Sequence, residues 1–179
     1  MGAFTFRIAT ADDIPAIAVL MDRAIGELQH GFLSDDEIAS SRLSMGLDTQ
    51  LIADGTYVVV EEGGRIVGCG GWSYRATLYG GDHNPALRNA APLDPAKDPA
   101  RIRAMYTDPD YVRRGIGRMV LAANEAAARA AGFTRAELMA TLAGEPLYLA
   151  CGYEPIERVT KMSEGGVPVP GVRMGKVLG

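Results

Sequence analysis

Phe4, Phe6 and Ile8 alternate with polar neighbours, the two-residue period of a short strand. Thr10-Ala11-Asp12-Asp13 follows as a capping-box-like helix start, with Pro15 tolerated in the first turn. Ile14, Ile17, Ala18, Met21, Ala24, Ile25 and Leu28 then recur at the spacing of one helical face, which predicts a helix packed on a sheet. Ser34-Asp35-Asp36-Glu37 opens a second, weaker helix reaching about Met45. Tyr57-Val58-Val59-Val60-Glu61, the turn Glu62-Gly63-Gly64, and the stretch from Arg65 to Trp72 predict a hairpin of strands two and three.

From Tyr74 to Pro99 the composition shifts to Gly, Asp, Asn, Pro and Ala, a long surface loop of the kind that is functional or disordered. Ile102, Ala104 and Tyr106 alternate with Arg101, Arg103 and Met105 in a fourth strand. A glycine-containing turn then opens an amphipathic helix from about Arg114 to Ala131, stopped by Gly132. Further elements are expected at Arg135–Met139 (strand), Pro146–Cys151 (short helix), Tyr153–Val159 (strand) and Val167–Val177 (strand). With 179 residues and 47% hydrophobic content, this order fits one α/β domain over residues 1–179, without repeat or linker.

Charge narrows the function. A net charge of -4 argues against a general nucleic-acid binder, which needs a broad basic face, so arginine clusters must be read locally. Cys69 and Cys151 lie far apart with no CxxC or Cys/His spacing, so neither a disulfide framework nor a metal site is signalled, and a reducing cytoplasm is expected. The amino-terminal residues lack a signal-peptide pattern, and no apolar run reaches membrane-spanning length. A soluble protein is expected, and a homodimer is plausible from the frequency of symmetric pairs.

The densest chemistry lies between Tyr106 and Arg118. Two glycines let backbone approach a ligand, and the free N–H groups of the next helix's first turn favour an anion. Arg113, Arg114 and Arg118 sit where a helix disfavours cations, an arrangement easier to explain with an anion bound. A Walker loop would need lysine and then Ser or Thr after the second glycine, where this chain has Arg118-Met119. A dinucleotide fingerprint would need a small residue where Val120 stands.

The turn resembles the acetyl-CoA motif of GCN5-related N-acetyltransferases, Pro-x-x-(Gln/Arg)-x-x-Gly-x-(Gly/Ala), through Pro109 and Arg113-Arg114-Gly115-Ile116-Gly117. The resemblance extends to the Phe6-Arg7-Ile8-Ala9-Thr10…Asp13 opening, the glycine-turn hairpin, and Leu147-Tyr148…Gly152-Tyr153. It implies a mixed, mostly antiparallel central sheet flanked by helices, with the fourth and fifth strands splayed around the cofactor. It also implies that Met105 and Thr107 offer backbone hydrogen bonds to the pantetheine arm of acetyl-CoA, and that Val112, Arg113, Arg114, Gly115, Ile116, Gly117 and Arg118 hold the pyrophosphate. Val112 replaces the Gln/Arg of the motif, so phosphate contacts would fall to backbone and neighbouring arginines.

By the same resemblance Tyr148, five residues before Tyr153, would be the general acid that protonates the departing thiolate; otherwise it is a packed aromatic. The base is open among Glu61, Glu62, Asp82, His83 and Glu145, since strand four carries Arg101 and Arg103 where related enzymes often have Glu. Those arginines, with Trp72, Tyr74 and Arg75, either line an acceptor pocket suited to a carboxylate or form salt bridges. Cys69 and Cys151, with no activating neighbour, are expected to be buried and inert. The functional reading is acetyl transfer to a primary amine of a small molecule, with a non-catalytic acyl-CoA sensor as the alternative.

Overall fold

The period-two stretches become strands of one seven-stranded sheet in the computed structural model, which describes residues 2–162 and 165–179. The strands are β1 (Thr5–Ile8), β2 (Tyr57–Glu62), β3 (Arg65–Ser73), β4 (Ala100–Thr107), β5 (Arg135–Thr141), β6 (Glu154–Lys161) and β7 (Val169–Val177). Their spatial order is β1-β2-β3-β4-β5-β7-β6, and every neighbouring pair is antiparallel except β4 with β5. The helices are α1 (Ile14–Glu27), α2 (Asp35–Ser41), α3 (Thr49–Ala53), α4 (Ile116–Ala130) and α5 (Glu145–Ala150). This is the mixed, mostly antiparallel α/β class expected from the sequence.

The helix α1 starts one turn late. The Asp13 carboxylate accepts from the Thr10 backbone N–H at 2.7 Å and closes a single 3-10 turn, after which Pro15 sits in the first α-helical turn. Ile17, Leu20, Met21, Ala24 and Ile25 are buried, so Leu20 belongs to the inward face, whereas Ala18 is exposed. α2 ends at Ser41 rather than near Met45, and the weakly periodic residues 49–53 form the short α3, capped by Asp48. β1 is an edge strand with Phe6 and Ile8 largely exposed, so its alternation reflects strand propensity more than burial.

The core has two sides. α1 packs with Tyr57, Val59 and Cys69 on one face of the sheet, while Ile116 and Val120 of α4 meet Val58, Val60 and Val67 on the other. Glycines in β3 set how closely α4 can dock. A Cβ at Gly68 would lie 2.3 Å from Ile116 Cγ2, and one at Gly70 would lie 2.7 Å from both Met105 and Val120. The long 74–99 connection folds back on itself through Ala76–Ala91, Thr77–Asn89 and Leu93–Tyr74 backbone hydrogen bonds.

Candidate active site

Between the pairs Cys69↔Tyr106 and Gly71↔Arg103 the β4 strand carries one more residue than β3, which is a bulge. Ala104 sits there at φ 49°, a left-handed conformation that costs an alanine about 1–2 kcal/mol. The buried Tyr57 hydroxyl donates to the Ala104 carbonyl at 2.6 Å and holds the distortion in place. β4 and β5 pair only at Ala100↔Ala136 and Arg101↔Glu137, then separate. A cavity of about 830 Å³ opens between them, lined by residues 102–107 of β4 and by Leu138, Met139 and Thr141 of β5.

The turn from β4 into α4 borders this cavity. Asp108 is buried and ties the turn together, accepting from Asp110 N at 2.9 Å, Arg65 at 2.6 Å and Arg23 at 3.0 Å. Burial opposes ionisation of Asp108, but these donors outweigh it and hold the carboxyl below its usual range. Gly115 is the N-cap of α4 at φ 85°, with open space where a Cβ would stand, and the first helical turn carries N–H groups without an intrahelical acceptor. Arg113 also adopts a left-handed conformation, at φ 64°.

The residues singled out from sequence divide here. Met105, Thr107, Val112, Arg113, Gly115, Ile116, Gly117, Arg118 and Tyr148 all line the cavity. Arg114 does not: its guanidinium pairs with Glu62 at 2.8 Å and lies over the rings of Phe4 and Tyr111. Arg113 and Arg118 are exposed and have no carboxylate partner among the described residues. Gly117 serves packing as well, because a Cβ there would meet Leu147 Cδ2 at 2.8 Å and push α5 away.

α5 carries Tyr148, half-buried with its ring edge-on to Tyr153 at a centroid distance of 5.9 Å. Burial pushes its hydroxyl up to about 12, so it stays protonated at neutral pH. The Cys69 thiol in the same cavity wall is likewise pushed up to about 12 by burial and is inert. Cys151 departs from expectation. It is half-buried, and Arg118 Nη1 lies 3.7 Å from its Sγ.

None of the base candidates lines the cavity. Glu61 pairs with Arg7, Glu62 with Arg114, Asp82 with Arg88, and Glu145 with Arg158, while His83 packs beside Gly46. The arginine pocket is not formed either. Arg101 bonds Glu137 at 2.9 Å, Arg75 bonds Asp54 at 2.8 Å, and Trp72 is part of the core. Arg103 reaches the cavity wall but is held by Asp48 at 2.9 Å and the Gly80 carbonyl at 2.7 Å. Sequence reading gave no role to Asp108, although Asp-Pro-Asp after a strand is a turn signal, or to Tyr79 and Lys161, which also face the cavity.

Comparison with known proteins gives a consistent picture. The family model of the acetyltransferase (GNAT) domain matches residues 53–155, more than half of the chain. No curated protein matches it significantly in sequence. Among solved structures, the chain is similar to a GCN5-related N-acetyltransferase from Rhodopseudomonas palustris, with TM-score 0.70 and 20% identity over 99% of this chain and 97% of that one. It is also similar to the paia N-acetyltransferase of Thermoplasma acidophilum, solved with coenzyme A, with TM-score 0.65 and 13% identity over 98% and 99% of the two chains. A third is yncA from Salmonella typhimurium, solved with its cofactor acetyl-CoA, with TM-score 0.61 and 17% identity over 99% and 95%.

Proposed function

This chain belongs to the GNAT acetyltransferase family, and we propose that it transfers acetyl from acetyl-CoA to a primary amine of a small molecule by direct attack. The observation that carries this reading is the cavity itself. It runs between splayed strands, borders the N-terminus of α4 beside Arg113 and Arg118, and holds Tyr148 in its wall. The first-turn N–H groups of α4 and the two arginines suit a pyrophosphate. Backbone of Met105 and Thr107 beside the bulge suits the amide-bearing pantetheine arm. Solved relatives that carry coenzyme A or acetyl-CoA support the choice of co-substrate.

In the reaction the neutral amine attacks the thioester carbonyl carbon, the C–S bond breaks, and the sulfur takes the Tyr148 proton. The nitrogen loses its extra proton to solvent and the phenolate regains one, leaving an amide and free coenzyme A. With no carboxylate or histidine among the described residues that line the cavity, the amine enters in the fraction that is already neutral. Residues 1–179 act as one acyltransferase domain in this account. No helix of the described residues is long and apolar enough to cross a membrane, and the two free thiols suit the cytoplasm.

Free-thiol release from acetyl-CoA, measured across amino acids, polyamines, aminoglycosides and peptide N-termini, tests the reading. Amine-dependent release is expected for at least one small-molecule class. Release with peptides alone would refute the small-molecule acceptor, and acetyl-CoA binding without release on any amine would favour a sensor.

A further inference from the structure

One cation in the cavity has no part in the chemistry above. Lys161 ends β6 beside Val169 of β7, and its side chain is 6% exposed yet lines the cavity. Among the described residues no carboxylate lies within salt-bridge distance of its Nζ and no group hydrogen-bonds it; the Nζ stands over the Tyr79 ring, 5.7 Å from its centroid. Its stem runs against β7, since a Cβ on Gly171 would meet Lys161 Cε at 3.3 Å. A buried ammonium without a counter-ion is costly, and burial accordingly pulls its pKa below the usual lysine value.

The surroundings define what would compensate it. Arg103 is the other buried cation of the wall and is already neutralised by Asp48. The cavity lining contains no Asp or Glu among the described residues, so an acceptor with several positive charges finds no counter-ion there. Lys161 lies on the β5–β7–β6 side of the sheet, whereas Arg113 precedes α4 and Arg118 sits in its first turn, both following β4. Lys161 thus lines the same cavity as Tyr148 from a different element than the head of α4.

Resting on the acetyltransferase reading, the geometry points to Lys161 as the anchor for a carboxylate on the acceptor, making the substrate class a small amino acid or similar amino-carboxylic acid. The ammonium supplies a charge-assisted hydrogen bond in a low-dielectric wall, where such contacts discriminate strongly against an uncharged analogue. The carboxylate preference that the sequence suggested for Arg101 and Arg103 is thus assigned to a different cation.

The test compares free amino acids with their C-terminal amides as acceptors, alongside acetyl-CoA binding, for wild type and Lys161→Met. Wild type is expected to favour the acids in kcat/KM by roughly tenfold or more, the scale of one such contact. Lys161→Met should abolish that preference through KM, with kcat and acetyl-CoA affinity nearly unchanged, and should raise Tm because an unpaired buried charge is removed. Amides or polyamines accepted as well as acids by wild type would overturn the anchor, as would a retained preference in the variant. So would loss of kcat with unchanged KM, which would make Lys161 a proton-transfer group, or loss of acetyl-CoA affinity, which would make it part of the cofactor site. No thiol release with any acid, amide or polyamine, while acetyl-CoA still binds, would overturn the transferase reading on which the anchor rests.

Discussion

Tyr148→Phe separates chemistry from packing because it removes one hydroxyl and little else. The ring stays edge-on to Tyr153, and no protein group among the described residues hydrogen-bonds the hydroxyl, so stability should change by no more than about 0.5 kcal/mol. The catalytic cost is larger. An ordinary thiol near pKa ~8.5 would sit about 3.5 pH units below a donor pushed up to about 12, an uphill transfer of roughly 5 kcal/mol. A thiolate desolvated as it leaves would be more basic than in water, just as burial raises the Cys69 thiol in the same wall, and this would narrow that gap. Losing the donor should lower single-turnover thiol release by about 10²–10³, or roughly 3–4 kcal/mol of barrier. The assay is rapid-mix thiol release at saturating acetyl-CoA, with thermal unfolding in parallel. Turnover within a factor of two of wild type would refute the acid assignment, and a large loss of stability would show that the hydroxyl is structural.

Other perturbations follow from the frame around the site. Tyr57→Phe leaves the half-buried Ala104 carbonyl without its donor and should cost about 1–2 kcal/mol in chemical denaturation while weakening acetyl-CoA binding through the bulge. Gly70→Val places atoms against Met105 and Val120 and should destabilise by about 1–3 kcal/mol, with reduced cofactor affinity as α4 shifts; unchanged affinity would uncouple helix docking from the site. Asp13 is held near about 2 by the Arg7 hydrogen bond against an ordinary 3.8, so its contribution is present above pH ~4 and lost as pH falls towards about 2. Solvent screening limits it to about 1 kcal/mol, and Asp13→Asn should flatten that part of the acid-denaturation curve.

How much of this was legible from sequence depends on where the determinants lie. The strands and both long helices are written in local periodicity, and the Pro109-to-Gly117 turn carries its own backbone requirements, so the head of α4 could be found. The fate of the arginines could not. Arg101 and Arg103 look alike on one strand, but whether a guanidinium is spent depends on Glu137 and Asp48, which approach from distant segments. Arg114, indistinguishable from Arg113 by position, turns to Glu62 across the hairpin. Ala104 has no sequence signal for its positive φ, because Tyr57 enforces it from β2. Lys161 is an unremarked strand-end lysine until the sheet order places it on the cavity.

The central claim is that the cavity between β4 and β5 takes acetyl-CoA with its pyrophosphate on the 112–118 turn. Calorimetric titration of acetyl-CoA against acetyl-pantetheine, with wild type and an Arg113→Ala/Arg118→Ala variant, tests it directly. Both arginines are exposed, so the variant should fold normally. Acetyl-CoA should bind wild type at least tenfold more tightly than acetyl-pantetheine, and the variant should lose much of that margin while binding acetyl-pantetheine as before. Equal affinity of wild type for the two ligands, or a margin untouched by the double substitution, would contradict it.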